Sequence, residues 1–170
     1  MHRHVFICYR HDGSSANYVE RLAGYLATHI IPCWYDREVV SGDRWSKVLR
    51  QQVDTCAAMI VVMTPAAEES EWIEREISRA QQQGKPVMPL LLSGQVFFRL
   101  SDLHYENVTA GRMPSESYLA ALRNHLKGGY RSADAVGGHS SEQTGQQRMH
   151  SSPAGTVGTI ATRVLRQFCA

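Results

Sequence analysis

The sequence predicts an α/β protein in which a parallel β-sheet carries helices on both faces. Four continuous apolar runs recur along the first part of the chain, and their starts are separated by 26, 27 and 29 residues. Runs of this length suit strands that are buried on both faces, and the spacing leaves room for a helix between each pair. The predicted strands cover residues 4–9, 30–35, 57–63 and 86–92. Because Pro32 and Pro89 cannot donate to a ladder, we expect each proline at an edge or an irregularity.

Helical periodicity fills the segments between these runs. Apolar side chains recur at helical spacing within residues 14–28, 43–54 and 70–83, and we expect Ser14 to be the N-cap of the first helix. A weaker strand at 105–109 and a helix at 115–126 complete the pattern. Alternating strands and helices at this spacing indicate β-α-β units rather than an antiparallel sheet.

Composition and charge exclude several classes of protein. The chain has 170 residues, 43% hydrophobic and 20% charged, with a net charge of +2, which is typical of a globular protein. Lysine and arginine are not clustered, so we expect no nucleic-acid partner. No apolar run approaches the length of a membrane span, and the N-terminus lacks the layout of a secretion signal, so we expect a cytoplasmic protein without a membrane partner. The four cysteines form no Cys-x-x-Cys pair and suit buried, reduced thiols.

The sequence divides into a domain at 1–127, a linker at 128–155 and a short helix at 156–170. Fourteen of the 28 linker residues are Gly, Ser or Gln. Such a segment buries too little apolar surface to offset its ordering entropy. The last segment has apolar residues at helical spacing, which is consistent with packing on the domain, with a protein partner or with self-association.

Candidate site residues lie where the strands end, because ligands of open parallel sheets bind outside the carboxyl ends of the strands. Glu76 lies four residues after Trp72, on the same face of the predicted helix. Two interpretations stay open from the residues alone. Glu76 is either a site carboxylate beside an aromatic ring or a surface glutamate paired with Arg79. Likewise, Arg10 either faces phosphates or pairs with a nearby aspartate.

The sequence lacks the motifs of several other kinds of functional site. The segment around Lys85 is not a phosphate-binding P-loop, no nucleophile elbow occurs, and no Gly-x-Gly-x-x-Gly follows the first strand. His2 and His4 form the only close histidine pair, so we expect no metal site. Trp45 and Trp72 are each compatible with a core position or with a ligand platform.

Five segments together resemble the Toll/interleukin-1 receptor (TIR) domain family. The first is VFICYR at 5–10, and the second is YDREVVSG at 35–42, the loop after the second strand. The third is the apolar strand that ends in Thr64-Pro65. The fourth, SEWIEREI at 70–77, resembles the Trp-x-x-x-Glu helix of the enzymatic branch, and the fifth is KPVMPL at 85–90. The resemblance covers residues 4–127 in register.

The resemblance implies a flavodoxin-like sheet of five parallel strands in the order 2-1-3-4-5. In the NAD-cleaving, bacterial-type branch, the glutamate after the tryptophan cleaves the nicotinamide–ribose bond, so the resemblance assigns the catalytic role to Glu76. It further implies that Trp72 and Trp45 offer faces to the bases and that Arg10 and His11 face the ribose and phosphates. NAD+ would be a substrate, with no cofactor.

The resemblance also implies that Asp36 lies at the base of a loop that opens the site, and that TIR–TIR self-association moves this loop. The sequence departs from the family pattern at Cys8, where serine is usual, and at 40–42, which lack the usual acidic residue or proline. Three functions remain: an NAD+ glycohydrolase or ADP-ribosyl cyclase in bacterial immune signalling against phage, a non-catalytic adaptor acting by homotypic assembly, and an effector that mimics host TIR domains.

Overall fold

The computed structural model describes residues 3–36 and 43–128. Within these ranges, five parallel strands form one sheet in the order β2-β1-β3-β4-β5, which confirms the predicted flavodoxin-like topology. The predicted loop at 37–42, the linker beyond Gly128 and the helix at 156–170 lie outside the described residues.

The predicted strands and helices occur in the predicted order, and one short helix, Pro65–Glu68, which the sequence does not predict, precedes the helix at Glu71–Gln82. The strands are β1 (Val5–Cys8), β2 (Cys33–Tyr35), β3 (Ala58–Met63), β4 (Val87–Leu91) and β5 (Glu106–Asn107). The helices are α1 (Gly13–Thr28), α2 (Asp43–Thr55), α3 (Pro65–Glu68), α4 (Glu71–Gln82) and α5 (Glu116–Lys127). Two single 3-10 turns, at Phe98–Leu100 and Thr109–Gly111, flank β5.

The central strands are buried on both faces, and their alternation divides the core into two layers. On one face, Val5, Ile7 and the even-numbered residues of β3 pack with the apolar sides of α1 and α5. On the other face, Phe6 and Cys8 pack with Leu49 of α2 and with the buried side of α4. Cys8 is therefore the last residue of β1 on the α4 face, at the carboxyl edge of the sheet.

Both prolines occupy positions where a missing N–H is tolerated. Pro32 precedes β2, which is an edge strand. Pro89 lies inside β4 opposite Val61, one position before β4 begins to pair with β5 at Leu90. The backbone bond from Val108 to the carbonyl of Leu91 shows that odd-numbered residues of β4 face β5. Pro89 therefore lacks its donor only on the side where β5 is not yet paired.

Helix boundaries differ from the predictions by one or two residues. The largest difference concerns α1, whose N-cap is Asp12 rather than Ser14: the Asp12 carboxylate accepts from the backbone N–H of Ser15 at 2.8 Å. An aspartate caps as well as a serine, and Gly13 allows the helix to begin one residue earlier. No helix of the described residues is long and apolar enough to cross a membrane. Cys8, Cys33 and Cys56 are buried, as predicted.

Two glycines provide a matched test of backbone constraint. Gly94, in the loop after β4, has φ +78°, and a Cβ there would lie 2.7 Å from Pro65 Cγ at the start of α3. Gly24, inside α1, has open space around the Cβ position. We expect Gly94→Ala to lower the free energy of unfolding by about 1–3 kcal/mol. Gly24→Ala should raise it by up to about 1 kcal/mol, because alanine favours a helix interior. Urea denaturation checks both, and equal effects would contradict the account of Gly94.

Candidate functional site

Helix α4 delivers a glutamate to the interior of the protein. The helix begins after Ser70 and places Ile73, Ile77 and Ala80 against the sheet. Glu76 lies three residues after Ile73, so helical periodicity puts it on this same buried face, where it is only 9% exposed. A carboxylate at such a position loses most of its hydration, so its environment within the protein decides its charge.

Two donors from different elements reach the Glu76 carboxylate. The Cys8 thiol donates from the end of β1, and the Trp72 indole N–H donates from one turn earlier on α4. Trp72 remains 42% exposed, so its ring is accessible to solvent while its N–H holds the glutamate. The structure therefore joins a buried carboxylate to an exposed aromatic ring, which is one of the two arrangements that the Trp72–Glu76 spacing allows.

Burial raises the pKa of Glu76 from 4.5 to about 7. Desolvation is the largest cause, the hydrogen bonds from Cys8 and Trp72 oppose it, and the negative charge of Asp36 adds to it. The pKa of Cys8 is also raised well above its ordinary value, first by burial and then by the adjacent Glu76. Cys8 is therefore a neutral hydrogen-bond donor at physiological pH and not a thiolate nucleophile.

Arg79 does not pair with Glu76. Its guanidinium forms two hydrogen bonds with the carboxylate of Asp54 on α2, at 2.7 and 2.6 Å. Among the described residues, no lysine, arginine or histidine forms a salt bridge with Glu76. Of the two interpretations that the sequence left open, the structure supports the buried carboxylate beside an aromatic ring.

A groove between α2 and α4 opens beside Glu76 and Trp72. Its volume is about 490 Å³, within the range of small-molecule pockets. The α4 wall carries Glu76 and Trp72, and the α2 wall carries Ser46, Leu49 and Arg50. Glu76 is therefore one of the residues that line this groove, although it is only 9% exposed.

The remaining predicted residues form a second group at the ends of β1 and β2. His11 stacks on Tyr9, with ring centroids 4.6 Å apart, and its Nε2 lies 3.7 Å from Asp36 Oδ2. The Tyr9 hydroxyl donates to the backbone carbonyl of Asp36. Of this group, Asp36 is close enough to influence the pKa of Glu76. Among the described residues, His11 and not Arg10 lies within ion-pair distance of Asp36.

The side chain of Arg10 reaches the start of α4 and does not line the α2–α4 groove. Its Nη1 donates to Ser70 Oγ at 3.3 Å, and it forms no salt bridge with Asp12 or Asp36 within the described residues. Trp45 is the third residue of α2, and its side chain lies outside the described part of the structure. The structure thus joins Glu76 and Trp72 in one groove and places Arg10, His11 and Asp36 beside it at the sheet edge.

A comparison with protein-family models identifies the chain. The model described as "TIR domain" matches residues 5–125, which is most of the sequence and includes every described strand and nearly all of the described residues. The chain belongs to the TIR domain family.

Solved structures support the same fold for this TIR domain. The TIR domain of the Toll-related receptor TRR-2 from Hydra magnipapillata matches at 19% identity with a TM-score of 0.52, covering 61% of this chain and 82% of that one. The CMP N-glycosidase BcmB of Clostridium botulinum matches at 20% identity with a TM-score of 0.52, covering 71% of this chain and 98% of that one. The TIR-STING receptor from C. gigas matches at 20% identity with a TM-score of 0.56, covering 71% of this chain and 39% of that one. No curated protein matches the chain.

Sequence reasoning missed two contributors to the site. From the sequence, Cys8 is expected to be a small buried thiol and a departure from the family pattern and not a site residue, although strand alternation from Phe6 places it on the α4 face at the sheet edge. The α2 wall, with Ser46 and Arg50, was also missed, because no local pattern indicates which helices form a groove. The described part of this TIR domain holds no cluster of three or more histidine, cysteine, aspartate or glutamate residues that could bind a metal ion.

We expect Glu76→Gln to stabilise this TIR domain at pH 8. The pKa of Glu76 is higher in the folded state, so the folded protein binds more protons than the unfolded chain and loses stability as pH rises from 4.5 through about 7. The difference corresponds to about 3 kcal/mol once both states are ionised. Glutamine removes the charge and keeps an acceptor for Cys8 and Trp72. The gain should therefore be near zero at pH 4.5 and should grow to at most about 3 kcal/mol by pH 8.

Urea unfolding across this pH range checks the expectation. Glu71→Gln is the matched control, because Glu71 is on the same helix with its side chain 86% exposed. The control should show no comparable dependence on pH. A Glu76→Gln variant that is less stable than the wild type at pH 8 would contradict the desolvation account.

Proposed function

We propose that this TIR domain cleaves the bond between nicotinamide and ribose in NAD+, with Glu76 as the catalytic carboxylate. One observation carries the proposal. Glu76 is a carboxylate 9% exposed, without a salt bridge among the described residues, beside a groove and an accessible tryptophan ring. Buried titratable groups of this kind, with a strongly raised pKa at the edge of a cleft, are typical of functional sites.

The chemistry suits a lone carboxylate. When the glycosidic bond breaks, its electron pair leaves with nicotinamide, which becomes a neutral base, and positive charge develops on the ribose carbon and ring oxygen. An ionised carboxylate close to this charge stabilises the transition state, more strongly in a poorly solvated site than in water. Water then adds to the carbon in a glycohydrolase, while a nitrogen of the same substrate adds in a cyclase. Glu76 serves the first step of both reactions, so the identity of the product is a separate question.

The proposed roles of the other residues follow their positions. The exposed ring of Trp72 offers a surface on which the nicotinamide stacks while its N–H orients Glu76. We propose that Arg10, His11 and Asp36 contact the ribose and phosphates from the sheet edge, and that Trp45 contributes a second aromatic face. Cleavage of an N-glycosidic bond is compatible with this fold, since the structural neighbour BcmB is a CMP N-glycosidase.

The proposed setting is a cytoplasmic bacterial defence against phage, in which the cleavage generates a nucleotide signal or depletes NAD+. This setting follows from the enzymatic branch that the Trp72–Glu76 pair resembles. The alternatives are an adaptor that acts only by assembly and a host-mimicking effector. An adaptor needs no desolvated carboxylate, so the burial of Glu76 favours an enzyme over it.

We expect Glu76→Gln to lower the rate of NAD+ cleavage at least ~100-fold while the protein stays folded, because a main electrostatic group is lost. Release of nicotinamide, measured by liquid chromatography, checks this. Wild-type activity should rise with pH through about 7, because the ionised form of Glu76 is the active one. Glu71→Gln should keep its activity. A folded Glu76→Gln protein with most of its activity, or a wild type whose rate falls as pH rises through 7, would contradict the proposal.

We also propose that activity depends on self-association of this TIR domain. Ile30 is 90% exposed and its φ of 59° lies in the left-handed region, which is costly for a β-branched residue. Phe98 is likewise 90% exposed. Contact with a second copy would bury such side chains, and the competent conformation of a monomer would then be a minor state.

Specific activity should therefore rise with protein concentration, in parallel with mass measured by light scattering. Ile30→Asn is the informative variant, because asparagine tolerates the left-handed backbone and removes the apolar side chain. We expect it to fold normally and to need higher concentrations for the same activity. Constant specific activity in a strictly monomeric protein would show that the site is complete within one chain.

A further inference from the structure

The α2 wall of the groove carries a charged side chain that has no role in the proposed reaction at Glu76. The groove lining includes three arginines, which are Arg50 on α2 and Arg75 and Arg79 on α4. It also includes two carboxylates, Glu74 and Glu76. Which of these charges are available to a ligand depends on how each one is already paired.

Most of them are engaged with residues of this chain. Arg79 is held by two hydrogen bonds to Asp54. Arg75 pairs with Glu71 one turn earlier, at 3.0 Å. Glu74 forms an ion pair with Arg99 from the segment after β4. These pairs cancel within the protein and leave little net charge on that part of the groove wall.

Arg50 and Glu76 are the two exceptions. Arg50 donates through Nε to the backbone carbonyl of Ser46, at 3.3 Å. Among the described residues its guanidinium forms no salt bridge, and none of them accepts a hydrogen bond from its two terminal nitrogens. Glu76 is the only unpaired carboxylate of the described groove lining. The groove therefore presents one uncompensated cation on α2 and one uncompensated carboxylate on α4.

We infer that this groove binds the diphosphate of a dinucleotide, with Arg50 as a phosphate contact on the α2 side in addition to the contacts proposed for Arg10 and His11 at the sheet edge. The inference rests on the proposed function and extends it to the part of the substrate remote from the reacting bond. A guanidinium with both terminal nitrogens available matches two phosphate oxygens in a planar, bidentate geometry. The volume of about 490 Å³ is sufficient for a nucleoside phosphate portion of the ligand.

The order of charges in the groove matches the order of charges in NAD+. The substrate carries a cationic nicotinamide ring at one end and, one ribose away, an anionic diphosphate. Glu76 and Arg50 lie on the two facing helices, whose axes in packed pairs are about 8–10 Å apart. With the ring at Glu76, the diphosphate lies toward α2. The opposite orientation would bring phosphates toward a carboxylate and is disfavoured by repulsion.

The decisive variant is Arg50→Gln in the full chain, with Arg123→Gln as the matched control. Both side chains are surface arginines, and Arg123 lies on α5, where it pairs with Glu116. We expect Arg50→Gln to raise KM for NAD+ about tenfold or more with little change in kcat, since a charge-assisted contact to the substrate is lost. Nicotinamide riboside, which lacks phosphates, should be cleaved equally by Arg50→Gln and wild type. Arg50→Lys, which keeps charge and loses the bidentate fork, should lie between them.

A binding measurement separates this inference from the proposed function. Calorimetry with ADP-ribose, which contains the diphosphate and no nicotinamide, reports on the groove without any turnover. We expect Arg50→Gln to weaken ADP-ribose binding about tenfold at a melting temperature equal to that of wild type, and Arg123→Gln to leave it unchanged. If wild type binds ADP-ribose through Arg50 but cleaves no NAD+, the groove assignment stands and the proposed reaction fails. Unchanged KM and unchanged ADP-ribose binding in Arg50→Gln would overturn the inference.

Discussion

The desolvation of one carboxylate is the constraint on which the site depends. Glu76 is on the face of α4 that also carries Ile73 and Ile77, so the apolar packing that holds the helix on the sheet carries the glutamate inward with it. A glutamine or a leucine at this position would satisfy the fold at lower cost, because burying an ionised group opposes folding. Proteins retain a destabilising group where it is needed for function. In the proposed function, Glu76 is needed as the catalytic carboxylate beside the open groove.

The two hydrogen-bond donors to Glu76 have different roles: one positions the carboxylate and the other links it to the surface. Cys8 belongs to β1, which is buried throughout, so its thiol is a rigid reference point for the carboxylate. Trp72 is on the same helix as Glu76 and is 42% exposed, so it links the carboxylate to the surface. A thiol is a weaker hydrogen-bond donor than a hydroxyl. The weaker donor leaves more of the desolvation cost in place, which is consistent with a pKa of about 7 for Glu76.

The sequence predicts the fold well because the relevant signals are local. Buried parallel strands appear as continuous apolar runs, and the spacing between runs requires a crossover helix, so element order follows directly. The errors are the unpredicted short helix α3 and the boundaries, where Asp12 and Ser14 are competing caps for α1 and only the backbone geometry decides between them. The site is harder to predict because its decisive contacts are non-local. The pairing of Arg79 with Asp54 joins residues 25 positions apart, and no periodicity distinguishes it from a pair with Glu76 on the same helix.

The pairing of Arg79 with Asp54 rather than with Glu76 determines the charge that the groove presents. Arg79 lies three residues after Glu76, a spacing at which an arginine commonly neutralises a helical glutamate. Such a pair would favour the ionised form, would lower the pKa of Glu76 and would leave no uncompensated carboxylate for a cationic ligand. Asp54 instead holds Arg79 at 2.7 and 2.6 Å and ties α2 to α4. One ion pair therefore fixes the two walls of the groove and leaves Glu76 unpaired between them. The same contact that stabilises the helix pair thus preserves the negative charge that the proposed reaction requires.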